Sequence, residues 1–319
     1  MKIRLKDIAA RCKVSPATVS RVFNRCPNVR EEVRREIIMT ARELGFIPHS
    51  AGTKKVLAIV TESYDSIPLC GYMAMAITAL TREIFARGYS MELVPKCNVD
   101  LLRENLVAGA FALPYNEGMG RSWGENNLPL ICINASGYHR NGVYGVGSNE
   151  AQGIRLAGEH LVARGHRRFG LLTVGDPENW SNRTRVAGFK TAVTELGLPE
   201  IADCCRHAAG DNLYEPLGQL LQTGVTAIIA TGEMTGIAAA YALNLFGKRI
   251  PGDISLIAFE QAGASRYCLP PQTTLSQDFE NISRCALSMM EEILAGKFPA
   301  RDTLVDYRLI IRDSVAALR

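Results

Sequence analysis

Residues 5–24, LKDIAARCKVSPATVSRVFN, constrain the fold more than any other stretch. Ile8 and Cys12 are four apart and share one helix face, with Ala9 and Val14 as further small apolar positions. Ser15 is a good N-cap, and Pro16 suits a first helical position, where its missing N–H costs nothing. A short second helix therefore starts at Pro16. Val19 and Val22 turn it inward and leave Ala17, Thr18, Ser20 and Arg21 outside. Two short helices, with small and polar groups and one cation exposed on the second, fit a helix-turn-helix. The second helix of such a pair enters the DNA major groove. An ordinary helical hairpin is the alternative, but cap, apolar stripe and exposed face agree independently on the first reading.

Charge supports it. Residues 1–55 hold 13 Lys and Arg against 5 Asp and Glu, while the remainder is mildly acidic. A basic head on an acidic body points to a polyanion partner for the head alone. At 319 residues and 47% hydrophobic, the chain has room for a small head and a core-forming body. Nine cysteines, no CxxC and several Cys in apolar runs such as LICIN predict reduced, buried thiols. With no apolar signal region and no long apolar span, a cytoplasmic protein with no membrane partner is expected.

In chain order, a third helix is predicted over about Arg30 to Leu44. Its stripe is Val33, Ile37, Ile38, Ala41 and Leu44, and Gly45 stops it, closing a three-helix head over 1–47. Residues 48–55, containing HSAGTKK, read as a short linker. At Val56 the run VLAIV marks a strand buried on both faces. The first series continues with helix Leu69–Arg87, strand Met91–Val94 and a short helix Leu101–Leu106 capped by Asp100. Strands Ala110–Leu113 and Leu130–Ile133 follow, then a glycine-rich stretch from Gly137 to Gly153. The second series runs through helix Glu150–Arg164, strand Phe169–Thr173, helix Arg183–Leu196, weak strand Asp203–His207 and helix Leu213–Gln222. It continues with strand Ala227–Ala230, helix Met234–Phe246, strand Ile254–Phe259, helix Glu280–Leu294 and a terminal strand Leu304–Ile311.

Repeated β-α units imply parallel sheets with helices on both faces. The expected body, 56–319, is an α/β structure of two lobes, about 56–148 with 279–303, and about 149–276 with 304–319. A ligand in such a body is expected at the carboxyl ends of the strands, in the loops after Val60, Ile133, Thr173, Ala230 and Phe259.

The head motif, LKDIAARCKVSPATVSRVFN followed by VREEVRREIIMTARELGFIPH, resembles the signature of the lactose-repressor (LacI/GalR) family of bacterial transcription regulators. EHLVARGHRRFGLL, NRTRVAGFKTA, IPGDISLIAFEQ and PPQTTLSQDF extend the resemblance over essentially the whole chain. It implies a homodimer with a helix-turn-helix head, double-stranded operator DNA as partner, and a periplasmic-binding-protein-like body that takes a small effector. In such a head Pro16, Ala17 and Arg21 read bases. Ala17 suits a thymine methyl and Arg21 suits guanine O6/N7. Thr18, Ser20 and Asn24 hold phosphates, and Lys6 and Ser15 complete the set. The linker departs from the family. Only seven residues separate Pro48 from Val56, none is Leu, and Gly52 disfavours helix by roughly 1 kcal/mol. A hinge helix is therefore expected to be absent or much reduced.

For the effector, the resemblance implies Arg185 as the main ligand group, its planar fork suiting vicinal hydroxyls or a carboxylate. Glu260, after ISLIAF, stands where an aspartate is usual and is expected beside that arginine, a mutual ion pair being the alternative. Asn134, Thr231, Gln277 and Phe279 fall at other ligand positions. Trp180 is expected as a stacking surface for a sugar face, a partly buried packing residue being the alternative, and Tyr64 as a contact from the first lobe. A sugar-like effector is expected.

Enzyme readings find little. The chain has no HExxH, paired CxxC, GxxxxGK[ST] or GxSxG, and its five histidines form no spaced cluster. Gly145-Val-Gly147 begins like a dinucleotide fingerprint, but position 150 is Glu. No cofactor, metal or catalytic residue is expected. A solute-binding protein without a regulatory role is the other candidate.

Overall fold

The computed structural model describes residues 3–23, 26, 28–44, 46, 56–62, 71–96, 107–113, 128–135, 143–209, 212–260 and 263–318. The head forms helices α1 (Leu5–Arg11), α2 (Pro16–Phe23) and α3 (Glu31–Glu43). Their apolar stripes meet in one core of Ile8, Ala9, Cys12, Val19, Val22, Ile37, Ile38 and Ala41, all buried. Phe23 stacks on Phe46 at 5.4 Å, closing the base of that core.

The body contains two six-stranded sheets. The first has the order β11-β5-β4-β3-β1-β2 and is built from β1 (Val56–Thr61), β2 (Ser90–Pro95), β3 (Gly109–Ala112), β4 (Leu130–Ile133), β5 (Val143–Ser148) and β11 (Asp302–Val305). The second has the order β12-β10-β9-β8-β6-β7. Its strands are β6 (Phe169–Val174), β7 (Cys205–Ala208), β8 (Ala227–Ala230), β9 (Ser255–Phe259), β10 (Thr273–Ser276) and β12 (Arg308–Ile310). Runs such as AIIA and SLIAF are buried along their whole length because helices cover both faces. The helices are α4 (Gly71–Ala86), α5 (Glu150–Ala163), α6 (Trp180–Glu195), α7 (Tyr214–Gln222), α8 (Thr235–Leu245) and α9 (Phe279–Leu294). The chain divides into two compact units. One comprises Met1–Leu69, Ala76–Val146 and Ser283–Thr303; the other comprises Cys70–Met75, Gly147–Ile282 and Leu304–Arg319.

The structure corrects several expectations. The terminal strand Leu304–Ile311 is two strands, β11 and β12, in different sheets. The chain leaves one unit for the other here, so Asp306 and Tyr307 cannot continue either ladder. β12 pairs antiparallel with β10, so the second sheet is not wholly parallel. β5 lies inside the glycine-rich stretch, where VYGVGS alternates too weakly to read as a strand although it is almost wholly buried. β10, TTLS, falls where no strand is predicted, because its three hydroxyls hide a burial that neighbouring groups satisfy. Helix α6 begins at Trp180, three residues early, capped by the Asn179 side chain accepting from the Asn182 amide. The expected helix 101–106 and the linker 48–55, with its hinge expectation, lie outside the described residues. Cys12, Cys132 and Cys204 are buried free thiols, but Cys26, Cys205, Cys268 and Cys285 are partly exposed. No helix among the described residues is long and apolar enough to cross a membrane.

The last residues are clasped to the second sheet through His166, which is 1% exposed. Its Nδ1 lies 2.8 Å from Thr226 Oγ1 and its Nε2 donates to the Ala316 carbonyl at 3.1 Å. Burial lowers the pKa of His166, partly opposed by the Ala316 bond, and burial likewise lowers that of His160. A folded-state value below the ordinary 6.5 makes the unfolded chain take up the proton first. Stability from this clasp is therefore complete above pH 6.5 and is lost as the pH falls below it. Urea midpoints at pH 7.5 and 5.5 should show the drop in the wild type and a smaller one in His166→Gln. Identical pH dependence in both would remove His166 from the account.

Candidate functional site

In the head, Ser15 Oγ accepts from the Thr18 amide at 3.1 Å and sits 2.9 Å from Thr18 Oγ1. This caps α2 and fixes its entry angle. Lys13 adopts a left-handed φ of 52°, which the sequence does not announce, and this bends the chain sharply from α1 into α2. Val19 and Val22 bury one face of α2, and Pro16, Ala17 and Arg21 are exposed on the other. Lys6 is exposed as well, while Thr18 and Ser20 are half-buried. Thr18 shares its hydroxyl with Ser15, so its first duty is the cap. Asn24 lies outside the described residues. The exposed face is small at its start, with a cation one turn on.

In the second unit, Arg185 on α6 is the centre of a buried polar chain. Its Nε donates to Glu150 Oε2 at 2.8 Å and its Nη2 to Glu150 Oε1 at 3.0 Å. Its Nη1 donates to Asn182 Oδ1 at 3.3 Å. The guanidinium also lies 4.7 Å over the Phe259 ring. Glu150 is 1% exposed. The Tyr307 hydroxyl donates to Glu150 Oε2 at 3.0 Å and accepts from Gln277 Nε2 at 3.1 Å, and Gln277 Nε2 also donates to Ser148 Oγ at 2.9 Å. Burial alone would lower the Arg185 pKa, but the charge of Glu150 and the Tyr307 contact more than reverse this and raise it. Burial, then Glu150, pushes the Tyr307 phenol well up, so it remains a donor. The Tyr307 ring fits because Gly153 has no side chain; a Cβ there would lie 2.7 Å from the ring.

The expected partner of Arg185 is therefore corrected. Glu150 takes the place foreseen for Glu260, because the first turn of α5 brings it under α6. The two helices cross closely where Gly188 meets Ala151. Glu260 pairs instead with Arg312 at 2.9 Å and accepts from Thr274. Thr231 is fully buried, its hydroxyl donating to the Leu172 carbonyl at 3.3 Å, so it presents no donor outward. Gln277 belongs to the Arg185 chain. Phe279 tilts against Tyr72 of the same unit at 5.7 Å. Trp180 is half-buried at the start of α6. Asn134 lies in the first unit with a left-handed φ of 52°, and Tyr64 lies outside the described residues. Glu150 and Tyr307 escaped the sequence reading. A glutamate directly after an N-cap asparagine reads as helix-end electrostatics, and a tyrosine between two strands reads as packing. Among the described residues no group of His, Cys, Asp and Glu is placed to hold a metal ion.

Residues 4–49 match the family model described as bacterial regulatory proteins, lacI family, and residues 159–315 match the periplasmic binding protein-like domain. The HTH-type transcriptional repressor PurR of Klebsiella pneumoniae is 27% identical over 336 residues, which span 98% of this chain and 96% of that protein. The chain belongs to the lacI family. Solved structures of family members share the fold of this lacI-family protein. The Lac repressor dimer bound to operator and the anti-inducer ONPF superposes with a TM-score of 0.70 at 23% identity, covering 99% of this chain and 100% of that one. A complex of the transcriptional regulator CelR with cellobiose gives 0.70 at 21% identity, covering 98% and 99%.

Proposed function

We propose that this protein is a sequence-specific DNA-binding repressor, acting as a cytoplasmic homodimer, whose operator affinity is set by a small sugar-like metabolite. The observation that carries the reading is α2, with Val19 and Val22 buried and Pro16, Ala17 and Arg21 left facing outward. The relatives support it: PurR is named a repressor, the Lac repressor structure holds operator DNA, and the CelR structure holds cellobiose. A solute receptor without a regulatory role gives the basic head nothing to do.

Two heads on one dimer would read half-sites roughly 34–36 Å apart, with Lys and Arg contacts making affinity fall steeply with salt. Arg21 reads a base, Ala17 and Pro16 contact a thymine methyl, and Lys6, Ser15, Thr18, Ser20 and Asn24 set register on phosphates. The effector is held in the second unit around Arg185, with Gln277, Phe279, Trp180 and Glu260 as further contacts. Thr231, its hydroxyl turned inward, is not among these contacts. Gel shifts on the DNA upstream of the protein's own gene, with and without a panel of sugars, test the whole. Loss of retardation, or no difference from random DNA, would overturn it. Arg21→Ala should lower specific affinity by about 1–3 kcal/mol and relax preference at one base pair, leaving non-specific binding nearly unchanged. Equal loss on random DNA would reassign Arg21 to the phosphates.

A further inference from the structure

We propose that Glu150 is a specificity-determining residue of the effector site, neutralising Arg185 so that the site takes uncharged hydroxyl ligands and rejects carboxylates and phosphates. This rests on the reading of Arg185 as an effector contact. A guanidinium has five N–H groups, and its paired edge is the fork that anions prefer. Here two of those groups, on Nε and Nη2, are held by the two oxygens of one buried carboxylate from the same chain. A third is taken by Asn182, and the Phe259 ring covers one face. The Tyr307 hydroxyl is in hydrogen-bond contact with it as well, so few of its N–H groups remain for a ligand among the described residues. They suit hydroxyl oxygens singly.

Charge decides between ligand classes. Unpaired, a guanidinium buried to this degree attracts any anion strongly. Paired with Glu150, which is 1% exposed and also receives the Tyr307 hydroxyl, it presents almost no net charge. An incoming carboxylate would shed its water and gain little in return. A sugar hydroxyl loses far less water and still finds a donor.

The test compares wild type, Glu150→Gln, Glu150→Ala and the double variant Glu150→Gln with Arg185→Lys, all as full-length protein. Thermal midpoints are titrated with sodium acetate and sodium gluconate against sodium chloride at equal ionic strength. Wild type should respond alike to all three salts. Glu150→Ala should melt roughly 6–12 °C lower. Both single variants should gain a saturable rise specific to carboxylate, with binding roughly tenfold or more above wild type. The double variant should lose it. No carboxylate-specific gain in Glu150→Gln overturns the proposal. So does a carboxylate-specific rise in wild type, an arm that stands even if a variant fails to fold. The underlying site reading fails by a different measurement, namely a sugar-dependent gel shift that survives Arg185→Lys.

Discussion

Arg185→Ala is expected to destabilise the second unit by about 3–5 kcal/mol, the usual cost of removing one partner from a buried ion pair. The reason lies with what stays behind. Glu150 is 1% exposed and, among the described residues, would keep only the Tyr307 hydroxyl as a donor. A buried carboxylate stripped of its counter-ion is what makes the loss large. Urea melts of variant and wild type at pH 5 and pH 8 check the loss. Replacing both Arg185 and Glu150 by leucine should restore most of the loss, since apolar packing can replace a buried pair. A single variant that melts with the wild type at both pH values would mean that the pair is not held as described.

Val19→Asp is expected to abolish specific operator binding while the body keeps its sugar-dependent thermal stabilisation. Val19 is 0% exposed in a core of eight buried side chains that also holds Ile8, Val22 and Ile37, so a carboxylate there is enclosed among apolar groups. A domain of this size has only a few kcal/mol of stability, and enclosing an unpaired charge costs about that or more. An unfolded α2 cannot present Pro16, Ala17 and Arg21 together, so specific affinity should fall by about 10³-fold or more toward the non-specific level. Gel shifts and thermal titrations on one preparation check both halves. Operator binding within tenfold of wild type would mean that α2 is not what reads the DNA.

The head was the most legible part of the chain. Its two-helix signature is local: cap, turn and stripe all lie within twenty residues, and the exposed face is whatever the stripe leaves over. Apolar runs such as VLAIV and LICI announced their strands for the same reason, since burial on both faces requires an unbroken apolar segment. VYGVGS and TTLS did not, because glycines and hydroxyls are buried there only by grace of particular neighbours, such as Ser314 donating into the second sheet.

By itself the sequence determined that a basic helix-turn-helix head precedes an α/β body, while Arg185 was singled out through the family resemblance. Only the tertiary structure decided which carboxylate answers that arginine. Glu150 and Glu260 are both acids at the end of a strand-loop transition, and sequence spacing treats them alike. What separates them is the close crossing of α5 and α6 at Gly188, with Gly153 leaving space for the Tyr307 ring. That packing brings a residue 35 positions away to within 2.8 Å of the guanidinium. It also leaves Glu260 to Arg312, another long-range partner. Charge pairing in a buried site depends on which backbones approach most closely, and that is a property of packing rather than of pattern.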